Sequence, residues 1–217
     1  SLFGSQATPA NDFGYAWLPK LEDGRGYAWL DIFDRMLAGQ VRGLFAWGQN
    51  PACSGADAGR TRRALARLDW LVNVNLFPNE TGDFWHGPGL DPREVATEVF
   101  LLPAACSLEK GGSLTNSGRW VQWREAVLPP PGEARPDGDI LAGLFAHLRA
   151  LYARGGVHPA PILGLVTEGF GEDGFAPEVV ARRINGQRED ATVRARGPRR
   201  RTELLTDFAQ LADDGST

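Results

Sequence analysis

The chain has 217 residues, 42% of them hydrophobic, enough to bury one sizeable core. A net charge of −4 argues against nucleic acid as a partner, and no run of about 18 apolar residues exists for direct membrane insertion. The two cysteines, Cys53 and Cys106, lack CxxC spacing, so they read as ordinary thiols and not as a disulfide or metal site.

Residues 1–30 are rich in Gly, Asn, Asp and aromatics without any sustained period. They read as an irregular, ligand-lining arm, and no basic and apolar leader pattern opens it. A helix is expected over residues 30–38, with Gly39 at its C-cap. Residues 41–51 (VRGLFAWGQNP) read as an apolar strand followed by a loop at Gly48, Asn50 and Pro51. Residues 56–68 place Ala64, Leu65 and Leu68 on one helical stripe. Residues 68–81 (LDWLVNVNLFPNET) give a second strand, then Asn75 and a loop through Pro78, Glu80 and Thr81.

After a turn-rich insertion at residues 86–93, a third strand is expected over residues 97–102, ending at Pro103. It leads into residues 102–123 (LPAACSLEKGGSLTNSGRWVQW). Small residues there let backbone approach a ligand, and Asn116 and Arg119 supply directional donors. Arg119 reads either as a fixed cation for phosphate or as the salt-bridge partner of Glu109 across a hairpin. Thr81 reads either as a hydrogen-bond donor to a ribose or phosphate or as a loop cap. Strand, helix, strand order with polar loops at the strand ends predicts an open parallel sheet, and such sheets bind ligands outside their carboxyl ends.

Residues 129–139 (PPPGEARPDGD) read as a stiff linker whose Asp137 caps a helix over residues 139–154. That helix has the clearest 3.6-residue period in the chain and should cover one face of the sheet. His147 falls off its apolar stripe, and His86 and His158 lie in Gly- and Pro-rich loops. No HExxH, P-loop, nucleophile elbow or triad is visible, so no catalytic residue and no metal ligand is assigned. The basic run at residues 193–201 reads as solvated surface, and residues 204–211 as a last short helix.

GQNP after one strand, ET after the next and LPAACSLEKGGSLTNSGRWVQW after the third form a set that resembles the catalytic subunit of molybdopterin oxidoreductases. Among these it is most similar to the membrane-associated formate dehydrogenases. SLFGSQATPANDFGYAWLPKL, DGDILAGLFAHLRALYARGG and FAQLADDGST extend the likeness along the chain.

The resemblance implies a three-layer α/β fold, a mostly parallel Rossmann-like sheet flanked by helices, with a small β-hairpin at the cofactor edge. It implies that residues 1–154 form the domain binding molybdopterin guanine dinucleotide, and residues 155–217 a peripheral extension toward a further C-terminal domain. The chain would be a piece, inactive alone, of an enzyme oxidising formate to carbon dioxide with a bis-guanine-dinucleotide cofactor of molybdenum or tungsten. A 4Fe-4S cluster would belong to the parent only. Its partners would be the remaining catalytic-subunit domains, an iron–sulfur electron-transfer subunit and a membrane cytochrome subunit, with the parent in the bacterial periplasm.

The cofactor-binding set carried over is Gly48, Asn50, Pro51, Asn75, Thr81, Glu109, Asn116, Gly118 and Arg119. Asn75 stands where many relatives have Asp, which keeps an acceptor oxygen but loses the charge. The alternative is a stand-alone nucleotide-binding or interaction module that keeps the fold without redox activity.

Overall fold

The computed structural model describes residues 3–18, 20, 28–118, 121–171, 174–184, 187–189 and 202–204. Arg119, Trp120, the basic run at 193–201 and residues 205–211 lie outside the described residues. The chain divides into two compact units. A sheet unit comprises Pro19–Cys106 and Pro129–Pro136, and a hairpin unit comprises Ser1–Leu18, Ser107–Leu128 and Asp137–Thr217.

The sheet unit is built on three parallel strands in the order β1 (Gly43–Trp47), β2 (Trp70–Asn75) and β3 (Glu98–Pro103). Phe45, Val72 and Phe100 share one register, and Trp47, Val74 and Leu102 the next but one. Parallel pairing brings the loops after all three strands to one edge, as the sequence predicts.

Helix α1 (Trp29–Leu37) ends in Ala38 and then Gly39, whose φ of +69° suits a residue without a Cβ. A four-residue turn of helix, α2 (Pro51–Ser54), follows β1, and α3 (Ala58–Leu65) leads to β2. Asp57 accepts from the Arg60 N–H at 2.8 Å and so starts α3. Thr97 ties down its end: Oγ1 lies 2.9 Å from the carbonyl oxygen of Leu65, the last residue of α3, and 2.8 Å from that of Leu68 in the loop that follows.

One face of the sheet carries the core. Phe33 and Met36 of α1, Ala64 and Leu65 of α3, with Leu68, Ala46, Leu71 and Phe84, pack together out of water. All three residues of the expected α3 stripe are among them. The other face shows Phe45 at 43% and Phe100 at 44% exposure. There Trp70 meets Phe45 edge-to-face at 5.3 Å and lies over Gly43, where a Cβ would come within 2.1 Å of the ring.

β3 runs one residue further than the sequence suggests and ends on Pro103. Proline suits this place because β3 is an edge strand, and its carbonyl still accepts from Arg135 N at 3.1 Å. Ala105 N in turn donates to Arg135 O at 2.8 Å. The supposed linker is therefore a strap, since the open edge of β3 offers it backbone partners.

The hairpin unit contains antiparallel β4 (Gly112–Thr115) and β5 (Val121–Arg124), then α4 (Asp137–Ala153) and α5 (Pro159–Gly164). A short hairpin of β6 (Phe170–Gly171) and β7 (Gly174–Phe175), α6 (Pro177–Ile184) and paired β8 (Gln187–Glu189) and β9 (Thr202–Leu204) complete it. Residues 3–18 contribute 3-10 turns held by Asn11, whose Oδ1 accepts from Thr8 N at 3.0 Å and Gly14 N at 2.9 Å.

Helix α4 starts two residues earlier than expected. It starts at Asp137, which ion-pairs with Lys110 instead of standing outside the helix as a cap. It packs against α5, β6 and β7. Arg149 fixes that packing by donating from Nη1 to the carbonyls of Ile162, Leu163 and Leu165 at 3.0, 3.1 and 3.3 Å. Of its apolar stripe, Leu141 and Leu151 stay exposed, and Ala142 is the buried residue.

Candidate functional site at the carboxyl edge of the parallel sheet

The loops after β1 and β2 are locked together by side chains. Asn50 Nδ2 donates to Glu80 at 2.6 Å, and Asn50 Oδ1 accepts from Thr81 N at 3.1 Å and Thr81 Oγ1 at 2.9 Å. The Thr81 hydroxyl also accepts from Ala52 N at 3.0 Å. Pro51 and Thr81 are buried beneath this clasp. The hydrogen bond from Asn50, then one from its own backbone N–H, holds the Glu80 carboxyl below the usual carboxylate range.

Gly48 has a φ of +60°, with no atom within 4 Å of where a Cβ would stand. Its own N–H donates to Val74 O at 2.8 Å. Among the described residues the N–H groups of Gln49 and Asn50 have no acceptor. Asn75 completes this corner: Nδ2 donates to Gln49 O at 3.3 Å, and Oδ1 accepts from Leu76 N at 3.0 Å. Each amide oxygen has two lone pairs, so Asn75 Oδ1 retains acceptor capacity.

Beneath the loops lies a second pair of asparagines that pattern reading overlooks. Buried Asn73 lies 2.8 Å from Asn79 Oδ1, which also accepts from Thr81 N at 3.1 Å and Gly82 N at 3.0 Å. Gly82 is needed here, because a Cβ would come within 2.6 Å of the Asn73 amide. A polar residue inside the apolar run WLVNVN was the available signal. A cleft of ≈ 100 Å³ opens beside it, between the ends of β2 and β3, lined by Asn73, Asn75, Leu76, Phe77 and Leu101 among others.

Five of the candidate residues, Gly48, Asn50, Pro51, Asn75 and Thr81, thus gather at one edge of the sheet unit. Glu109, Asn116 and Gly118 belong to the hairpin unit. Asn116 Oδ1 accepts from Gly118 N at 3.0 Å and shapes the turn between β4 and β5. Arg119, and with it the choice between phosphate and Glu109, falls outside the described residues. His86 bonds Asp83 at 2.7 Å and His147 the Gly143 carbonyl at 2.8 Å.

A family model described as molybdopterin oxidoreductase matches residues 99–147. The chain is 47% identical over 94% of its length to formate dehydrogenase subunit alpha of Megalodesulfovibrio gigas, covering 20% of that protein. It is 46% identical over 99% of its length to formate dehydrogenase 2 subunit alpha (cytochrome c-553) of Nitratidesulfovibrio vulgaris, covering 21%. With the formate dehydrogenase-O major subunit of Escherichia coli it shares 37% over its full length, covering 22%. The chain belongs to the molybdopterin oxidoreductase family.

It spans about a fifth of the length of the curated relatives it matches. Molybdopterin oxidoreductases use a molybdopterin cofactor with molybdenum or tungsten. The family match runs from β3 through the hairpin into α4 and so crosses both units. The clasp residues Asn50 and Thr81 lie outside it, within the stretch aligned with the formate dehydrogenase subunits.

Proposed function

We propose that this chain is part of a formate dehydrogenase catalytic subunit and that its sheet unit holds one guanine dinucleotide arm of a bis-pterin cofactor. The observation that carries the reading is the clasped corner after β1 and β2. Gly48 leaves open space, the Gln49 and Asn50 N–H groups are unengaged among the described residues, and Asn75 offers an amide oxygen. Adjacent backbone N–H groups suit a pyrophosphate, and an amide oxygen suits the N1–H and N2–H₂ donors of guanine. The donor set fits the group.

In this reading Gly48, Gln49 and Asn50 hold phosphate through backbone, and Asn75 accepts from the base. Pro51 and Thr81 position the loop, Thr81 from its buried place beneath Asn50. Glu109, Asn116, Gly118 and Arg119 are the cofactor-binding candidates that fall in the hairpin unit. Bound, the cofactor would supply the metal at which formate gives up two electrons and a proton to become carbon dioxide. This segment's task is placement and electrostatic tuning.

The same reading extends to the assembly. The remaining catalytic-subunit domains, a 4Fe-4S cluster in the parent, an iron–sulfur subunit and a membrane cytochrome subunit would carry electrons away, in the periplasm. Identity of 46–47% along nearly the whole chain to formate dehydrogenase subunits supports this over a stand-alone module.

Calorimetric titration of the chain with GDP, and with ATP as control, tests the site. GDP should bind, ATP should not, and Asn75→Ala should weaken GDP binding. Absence of GDP binding, together with absence of guanine nucleotide from the purified full-length protein, would overturn the proposal.

A further inference from the structure

Phe77 is the most exposed large apolar side chain among those that line a cleft at the carboxyl edge of the sheet, 76% accessible and two residues beyond the end of β2. It is not free to fold away. Asn75 anchors the loop on one side through Leu76 N, and Asn79 anchors it on the other through Thr81 N and Gly82 N. Pro78 follows directly and restricts the Phe77 backbone to extended conformations.

We propose that Phe77 is a specificity-determining binding residue, its ring the platform on which the planar base of the bound nucleotide stacks. The inference rests on the nucleotide reading above and adds a residue to it. Three observations combine. The ring lines the ≈ 100 Å³ cleft, which is mostly apolar and open on one side, as a slot for a flat group is. Leu76, 47% exposed, and Leu101, 50% exposed, extend the apolar wall. Asn75 borders the same cleft and presents an amide to the edge of whatever lies on the ring. A face for stacking with a polar group at the rim is the arrangement that reads a base: stacking holds any base, and the amide selects among them.

The test uses the full-length protein loaded with its cofactor. Guanine nucleotide retained after dilution into mild denaturant is released by acid and counted, for wild type, Phe77→Ala, Phe77→Leu and Phe77→Trp. Stacking of a base on an aromatic ring is worth roughly tenfold to a hundredfold in affinity. Phe77→Ala and Phe77→Leu should therefore lose nucleotide at least about tenfold faster, and Phe77→Trp should retain it. In the 217-residue chain, where the side chain is exposed, all three variants should melt with wild type when the nucleotide is absent. Equal retention by wild type and Phe77→Ala overturns the inference alone. Retention by Phe77→Leu as good as wild type overturns stacking. Wild-type protein that carries no nucleotide overturns the cofactor reading and this inference with it.

Discussion

The Thr81 hydroxyl donates to Asn50 Oδ1 at 2.9 Å and accepts from Ala52 N at 3.0 Å, so one buried oxygen joins two loops about thirty residues apart. Thr81→Val keeps the shape and removes both bonds. It leaves the buried Ala52 N–H without a partner, which costs about 1–3 kcal/mol. Thr81→Ser keeps the hydroxyl and should cost a fraction of that. Equilibrium denaturation of the two variants separates the hydrogen bonds from the methyl group.

Glu80 gives the clasp a pH dependence of known sign. Its folded pKa lies below the ordinary glutamate value because Asn50 donates to it. Its contribution is therefore complete above the unfolded value and is lost as pH falls through the folded value. The Asn50 side-chain amide resonances should titrate with a midpoint below that of a free glutamate. In Glu80→Gln they should stay constant over the same range. A midpoint at or above the free-glutamate value would contradict the geometry.

Gly43 stands under the Trp70 ring, with 2.1 Å between a notional Cβ and the nearest ring atoms. Gly43→Ala forces the indole or the strand to move and should destabilise by about 1–3 kcal/mol. A smaller ring at the neighbouring position, in Gly43→Ala combined with Trp70→Phe, should recover part of the loss. Thermal unfolding of the single and double variants gives the coupling directly.

Met36 of α1, wholly buried in the core, should be costly to truncate: about 2–5 kcal/mol for Met36→Ala. His147→Ala, on the exposed side of α4, should stay within about 0.5 kcal/mol of wild type. Urea titrations of both variants compare a core position with a surface one in the same chain.

Legibility in the sequence followed the range over which each interaction acts. Strands β1, β2 and β3, the Ala64–Leu65–Leu68 stripe and the Gly39 cap are local patterns, and the structure carries each of them. The gathering of Gly48, Asn50, Pro51, Asn75 and Thr81 was likewise readable, because parallel strand order alone sends those loops to one edge. Harder to see were bonds between distant residues. Arg135 pairs with the β3 edge from within a stretch whose prolines suggest a spacer. Asn73 and Asn79 form a buried pair that hydrophobic periodicity treats as noise. For α4 the 3.6-residue period marked the helix, but period carries no information about which neighbour packs against it.

The strap at Arg135 also turns the chain into a closed circuit. From Pro103 the backbone leaves for the β4–β5 hairpin and comes back to bond at Pro103 and Ala105. A protease cutting the turn between β4 and β5 would open that circuit without freeing either side of it. The nicked protein should migrate as two pieces once denatured and as a single species when native, so integrity on a native gel is no measure of an intact chain here.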